Sequence, residues 1–207
     1  MGCDIHIYCE EKRHVNGIDQ WVNVDNYRVN PYYKTNDEDT EYKDQFQHTD
    51  IYGGRNYRLF AALADVRQND YVKTPVIAQP RGLPEDASPQ TKAGAERWDG
   101  DGHSHTYLTM KELVEYNEKH KVTKISGIIS LDDSHLLDQG VLPTSWCQGS
   151  SDMRNKIRRN WEDPEGSPIK GLMDVLLPHY KDIRNIYHEE DFKLNLEKFR
   201  IVFWFDN

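Results

Sequence analysis

The sequence has few cysteines, no long apolar run and fewer basic than acidic residues, and each shortage excludes a class of protein. Three cysteines, Cys3, Cys9 and Cys147, do not describe a disulfide framework or a zinc ribbon, so we expect reduced thiols in an intracellular protein. No apolar stretch approaches the roughly 20 residues that span a bilayer, and the start does not resemble a secretory signal. We therefore expect no membrane partner.

The charge balance limits the possible ligands. The chain of 207 residues has 26 lysines and arginines against 35 aspartates and glutamates, which gives a net charge of -9. Extended nucleic acids are bound through basic stripes, so we expect no extended nucleic acid as a partner. A pocket for a small anion needs only a few arginines and stays compatible with this charge.

The chain contains short apolar segments separated by long polar stretches. Period-two alternation predicts a strand at residues 3–10, and residues 21–29 are expected to pair with it as a hairpin. The β-branched segment 122–131 and the most apolar stretch, 199–205, are also predicted to be strands. Apolar spacing and capping residues predict a helix at residues 57–67, one at 109–119 that opens with a capping box of Thr109 and Glu112, and one beginning at Ser167 and Pro168. The basic segment 152–161 is predicted to be a short helix. Loops are predicted at residues 30–47 and 75–98. This order predicts one α+β domain over residues 1–207, with a mixed or antiparallel sheet, three to four helices and central N- and C-terminal strands.

A first candidate site lies on the polar face of the first strand. Asp4 and His6 are two residues apart, so they project together, away from the apolar side. If the terminal strands pair, Trp204 and Asp206 can share this face. A carboxylate beside an imidazole suits general acid–base catalysis or metal binding. The alternative is a solvent-exposed polar stripe on a half-buried strand.

A second candidate site is the segment from Trp98 to His105. Its two glycines free the backbone, and the segment supplies two carboxylates and two imidazoles, from Asp99, Asp101, His103 and His105. Such groups suit zinc, manganese or iron, while the alternative is an Asp-Gly turn whose histidines cap the following helix. The candidate metal ligands from both sites are Asp4, His6, Asp101, His103 and Asp206. No cofactor other than such a metal is expected.

Catalysis without a metal would rely on a thiol or on histidines. The candidate catalytic residues are Cys3, Asp4, His6, His103 and His105. A histidine beside Cys3 would favour its thiolate, although strict alternation turns Cys3 into the core. The candidate ligand-binding residues are Arg55 and Asn56 at a helix N-terminus, Arg81 in the long loop, and Trp204.

Five motifs in chain order resemble a family of small bacteriophage and prophage proteins. These motifs are Met1 to His6, Gly54 to Ala61, Arg81 to Pro84, Asp101 to Ser104, and Phe203 to Asn207. Small phage proteins of this sort include counter-defence factors that cleave or sequester the cyclic nucleotide signals of bacterial immunity. The resemblance implies an association with phages and action in the cytoplasm of the bacterial host. A shared origin does not by itself establish chemistry.

Three functions follow from these expectations. The first is a hydrolase of small phosphodiesters, such as cyclic oligonucleotides, built on the Asp/His centre with a metal or Cys3. The second is a sponge that binds a small anionic nucleotide without changing it. The third is an acidic inhibitor of a host protein. The polar composition and long loops also leave a homo-oligomer open.

Overall fold

The computed structural model describes residues 2–34, 44–69, 73–163, 166–184 and 193–207. Within these residues the chain is α+β, as predicted, with eight strands and five α-helices. The strands are β1 (Asp4–Val15), β2 (Ile18–Asn23), β3 (Tyr27–Val29), β4 (Phe46–His48), β5 (His103–Thr109), β6 (Thr123–Ser130), β7 (Lys156–Asp163) and β8 (Phe199–Asp206). The helices are α1 (Tyr57–Ala64), α2 (Pro89–Glu96), α3 (Met110–Lys119), α4 (Leu131–Asp138) and α5 (Lys170–Arg184).

The chain divides into two compact units, each built from separate stretches of sequence. The sheet unit comprises Met1–Arg55, Pro80–Glu112 and Asp174–Asn207. The hairpin unit comprises Asn56–Gln79 and Leu113–Met173. The single domain over residues 1–207 stays a prediction. No helix among the described residues has the length and apolar character needed to cross a bilayer.

The sheet unit is organised around a four-stranded antiparallel sheet in the order β2-β1-β8-β5. The N- and C-terminal strands are central and adjacent, which confirms the prediction. β8 is an almost continuous apolar run, which suits burial on both faces, whereas the first half of β1 alternates between apolar and polar residues. Asn16 and Gly17 form the turn that joins β1 to β2, and both residues have a positive φ (52° and 83°).

Both faces of the central strand β8 are covered, so Phe199 to Phe205 are all buried. On one face Cys3, Ile5, Ile7 and Cys9 are buried as predicted, and the ring of Tyr180 packs edge-on against Phe199. The segment containing α2 covers the other face. This helix lies inside the segment 75–98 that was predicted to be a loop. The sequence features that could have predicted it are the N-cap Ser88 and the first-turn proline Pro89.

The hairpin unit contains the clearest wrong prediction. Residues 152–161 were expected to form a basic helix, but β7 pairs along its length with β6 as an antiparallel hairpin. Trp161 packs with Ile125 and Ile129, so burial of the β6 side chains outweighs the local charge pattern. Gly127 is required there, because a Cβ atom would lie 2.7 Å from the Trp161 ring.

Smaller differences concern helix ends. Asn56 caps α1 as predicted, but the helix stops at Ala64 because Asp65 adopts a left-handed conformation with φ 59°. Glu112 accepts a hydrogen bond from the Thr109 amide at 2.8 Å, which confirms the capping box of α3. The later helix continues past Pro178 to Arg184, and α4 was not predicted. Within the predicted loop 30–47, residues 35–43 lie outside the described residues.

Candidate functional site

One face of the four-stranded sheet gathers most of the predicted site residues, and we call it the Trp204 face. Strand pairing places Asp4 opposite Asp206, His6 opposite Trp204 and Glu10 opposite Arg200. Directly opposed residues in an antiparallel pair share a face, so these side chains project together. The members of the face are Asp4, His6, Tyr8 and Glu10 of β1, Arg200, Val202, Trp204 and Asp206 of β8, and His105 and Tyr107 of β5.

His6 and Asp206 form a hydrogen-bonded pair at one end of this face. His6 Nε2 lies 3.2 Å from Asp206 Oδ2, and the two side chains are 18% and 16% exposed. Asp206 is itself held by the Asp4 backbone amide, which donates to Oδ1 at 3.0 Å. The carboxylate therefore fixes the orientation of the imidazole. The other ring nitrogen, Nδ1, has no hydrogen-bond partner in the described part of the chain.

Arg55 binds Asp4 next to this pair. Its guanidinium donates from Nε to Oδ1 and from Nη2 to Oδ2, the latter at 2.5 Å. These hydrogen bonds lower the pKa of Asp4, so its carboxylate stays charged at neutral pH. Gly2 permits the approach, because a Cβ atom on residue 2 would lie 2.9 Å from Arg55 Cζ. Asp4 is thus engaged with a cation of the chain itself.

Aromatic rings surround His6. Trp98 stacks on it with ring centroids 4.1 Å apart, and the centroid of the Trp204 ring lies 5.9 Å from that of His6. Trp204 also stacks with Tyr8 at 5.3 Å and with His105 at 5.5 Å. The sequence placed Trp98 in the second candidate site but did not name it as a functional residue. The sequence feature that could have identified Trp98 is the Asp-Gly-Asp-Gly segment that follows it directly.

The two histidines of the second candidate site lie on opposite faces of the sheet. The pairing of β5 with β8 shifts between His103 and Thr106, and Ser104 has a positive φ of 54°. This bulge lets His105 stack on Trp204 while His103 stacks on Phe205. His103 Nε2 is buried and has no hydrogen-bond partner among the described residues. Because of the bulge, His105 lies on the Trp204 face and His103 does not.

The metal ligands expected from sequence are not gathered into a cluster. Asp101 lies in an exposed turn, and Asp4 is bound to Arg55. Among the described residues, no three of the five expected ligands bring their coordinating atoms within 4.8 Å of one another. A metal at these residues stays a prediction.

Cys3 is fully buried on the face opposite His6. Its Sγ lies 3.9 Å from the Asp4 carbonyl oxygen. This is the core position that strict alternation predicted. A thiol nucleophile at Cys3 has no route to a substrate in this conformation, so histidine chemistry accounts better for a site on the Trp204 face.

The other expected phosphate-binding groups have structural partners. Arg81 donates to Glu112 Oε1 at 2.5 Å, and its guanidinium lies 5.4 Å from the centroid of the Tyr107 ring. The Asn56 side chain accepts from the Arg58 and Leu59 amides at 3.0 and 3.2 Å, which caps α1. Their roles in ligand binding stay predictions.

A second histidine that is paired with carboxylates, His48, lies beside Tyr8. It was not identified from the sequence. His48 stacks on the Tyr8 ring at 4.1 Å, with its nitrogens 3.1 Å from Asp25 and 3.3 Å from Asp50. Burial acts to lower the pKa of His48, but the two carboxylates outweigh it and raise the pKa to about 9. His48 is therefore protonated at neutral pH. Gly94 lies against Tyr8, since a Cβ atom there would be 2.5 Å from Tyr8 Cζ.

His105 predicts a pH effect on stability. Burial lowers the pKa of His105, and the nearby His103 adds to the shift, so the folded state disfavours its protonated form. Stability from this group is present above the unfolded pKa of about 6.5 and is lost as the pH falls below it. In urea unfolding from pH 7.5 to 5, His105→Gln should lose less stability than the wild type. Equal losses would contradict this assignment.

Comparison with known proteins gives no relative: no family model, no curated protein and no solved structure matches the chain. The resemblance to phage proteins therefore stays a prediction.

Proposed function

We propose that the Trp204 face carries a hydrolase site for small phosphodiesters, in which His6 transfers the proton. The observation that supports it most directly is the His6–Asp206 hydrogen bond, which orients an imidazole whose Nδ1 has no partner in the described chain. A carboxylate on one nitrogen sets the tautomer and balances the charge that the ring gains when the other nitrogen takes a proton. This is the requirement for a general base.

The reaction then follows from these positions. His6 Nδ1 takes a proton from water as the water oxygen attacks phosphorus, and the protonated ring returns this proton to the leaving oxygen as the P–O bond breaks. Arg55 is 59% exposed and lies beside the site, bound to Asp4. It supplies the positive charge that an anionic phosphate needs. Trp98 and Trp204 hold the imidazole ring in place by stacking.

The substrate class follows from the charge around His6. With a net charge of -9, the protein repels long polyanions, while one arginine at the site suits a small nucleotide. We place this activity in the bacterial cytoplasm, where the phage resemblance would put it. Cyclic dinucleotides and cyclic oligonucleotides are the first substrates to test.

The test compares turnover of a panel of cyclic and linear nucleotides by chromatography. His6→Ala should reduce turnover about 10²- to 10⁴-fold, because it removes the proton acceptor. Asp206→Asn should reduce it at least about tenfold, because it no longer fixes the tautomer. His14→Ala is the matched control, since His14 lies on β1 but is 69% exposed and paired with Asp19. Unchanged turnover in both site variants, with folding intact by circular dichroism, would refute the proposal.

A second candidate is a protein that binds a nucleotide without cleaving it. The burial of Cys3 favours this alternative, because it removes the thiol nucleophile that the sequence placed near the site. A nucleotide that is depleted from solution and returns intact after heat denaturation would indicate binding alone. New products that depend on His6 would indicate hydrolysis.

A further inference from the structure

A separate cluster of metal-binding side chains lies beside the central strand β1, just after β2 ends. Cys9 projects from β1 on the face opposite Trp204, and Asp25 follows β2 along the chain. His179 lies in the part of α5 that belongs to the sheet unit. The sulfur of Cys9, a carboxylate oxygen of Asp25 and a ring nitrogen of His179 all lie within 4.8 Å of one another.

Asp25 is held firmly in this cluster. The Cys9 amide donates to both of its oxygens, at 3.0 Å to Oδ1 and 3.1 Å to Oδ2. Oδ2 also accepts from the Asn23 side chain at 2.7 Å and faces His48 at 3.1 Å. In known metal sites, hydrogen bonds from neighbouring groups hold each ligand side chain in the orientation that it needs to bind the metal.

One group in the cluster lacks the partner that its burial calls for. His179 Nε2 is inaccessible to solvent and has no hydrogen-bond partner among the described residues. A buried ring nitrogen without a partner is costly unless something else binds it. The Cys9 thiol is fully buried and lies beside the Asp25 carboxylate.

We propose that Cys9, Asp25 and His179 bind a zinc ion. Thiolate, imidazole and carboxylate together match the ligand preferences of zinc, whereas magnesium and calcium select oxygen ligands. In a tetrahedral zinc site the ligand atoms are about 3.5 Å apart. Here the three ligand atoms lie within 4.8 Å of one another, so the distances between them need to shorten by only about 1 Å.

Binding replaces a proton with a metal. The Cys9 S–H bond breaks, its proton passes to solvent, and the sulfur electron pair binds the zinc ion with no change in oxidation state. His179 binds through a neutral ring nitrogen and Asp25 as the carboxylate, and a water molecule completes four ligands. Cys9 is inaccessible to a substrate, so the site stabilises the attachment of α5 to β1 within the sheet unit. The inference does not depend on the proposed hydrolase activity.

The test uses the purified full-length chain after dialysis against a chelator. Cobalt(II) titration should give one equivalent of binding with thiolate-to-cobalt charge-transfer absorption, and zinc should displace the cobalt. Zinc should also raise the melting temperature by several degrees, because it binds only the folded state. These readouts are independent of nucleotide turnover, so failure here leaves the proposed hydrolase to its own test.

Matched variants identify the ligands. Cys9→Ala should abolish the charge-transfer band, while Cys147→Ser, at an exposed cysteine, should retain it. If Cys9→Ala does not fold, His179→Gln serves instead and should weaken zinc binding at least about tenfold, with His14→Gln unaffected. Absence of stoichiometric binding, or a band that disappears in Cys147→Ser instead, would overturn the proposal.

Discussion

Replacement of Arg200 by methionine should lower the free energy of unfolding by about 3–5 kcal/mol, the largest loss that we expect from one change of charge. Arg200 and Glu10 oppose each other on the Trp204 face, with side chains 4% and 0% exposed. Methionine keeps much of the side-chain length but removes the cation. Glu10 would then be a buried carboxylate without its counter-ion.

The surroundings of this pair explain why a large loss is expected. Glu10 accepts from the Ser88 amide and the Thr91 hydroxyl, each at 2.7 Å, and from Arg200 Nε at 2.8 Å. The guanidinium also donates to Asp86 at 2.9 Å and lies 4.0 Å from the centroid of the Trp21 ring. One substitution thus removes the ion pairs with Glu10 and Asp86, the hydrogen bonds within them, and the cation–π contact with Trp21.

Urea unfolding measures the loss, and an exposed ion pair provides the control. Lys111 and Glu197 are 2.6 Å apart but 48% and 71% exposed, so Lys111→Met should cost under about 1 kcal/mol. A second variant combining Arg200→Met with Glu10→Gln should recover part of the loss, because no unpaired charge remains. Similar costs for the Arg200 and Lys111 variants would contradict this account.

Replacement of Trp204 by alanine should lower the free energy of unfolding by about 3–5 kcal/mol. Its side chain is fully buried and stacks with Tyr8, His6 and His105. Removal of the indole creates a cavity that the paired strands β1 and β5 prevent from closing. The variant should also release His6 from one of its stacking rings.

Trp204→Phe distinguishes the contribution of volume from that of the polar nitrogen. Trp204 Nε1 is buried without a hydrogen-bond partner in the described residues, so phenylalanine forfeits no hydrogen bond. We expect a cost of about 1–2 kcal/mol, because fewer buried atoms are removed. Thermal and urea unfolding of both variants measure this difference. A phenylalanine variant as unstable as the alanine variant would mean that the N–H group has an unrecognised partner.

The sequence predicted the framework of the sheet because the relevant signals are local. Alternation in β1 correctly put Cys3 in the core and Asp4 and His6 on the opposite face. The apolar character of β8 correctly indicated a central position. The same reasoning failed for β7, where the decisive contact is long-range packing of Trp161 against β6. Local charge gives no indication of such a partner.

The candidate site was predictable only in part, for the same physical reason. Asp206 was correctly grouped with Asp4 and His6 through strand pairing. The separation of His103 from His105 depends on a bulge, which simple alternation does not predict. The binding of Asp4 by Arg55 and the meeting of Asp25 with His179 join distant segments. Neither has a signature at fixed spacing.

The central pairing of β1 with β8 has a consequence for the order of folding during synthesis. The hydrogen bond from the Asp4 amide to Asp206 joins residues 202 positions apart. While the chain emerges from the ribosome, β1 can form its hairpin with β2, but its other edge stays unpaired until β8 appears. Contacts of such sequence separation slow folding, and an unpaired apolar edge invites association with other chains. The nascent protein is therefore most dependent on chaperones after β1 has emerged and before β8 is available.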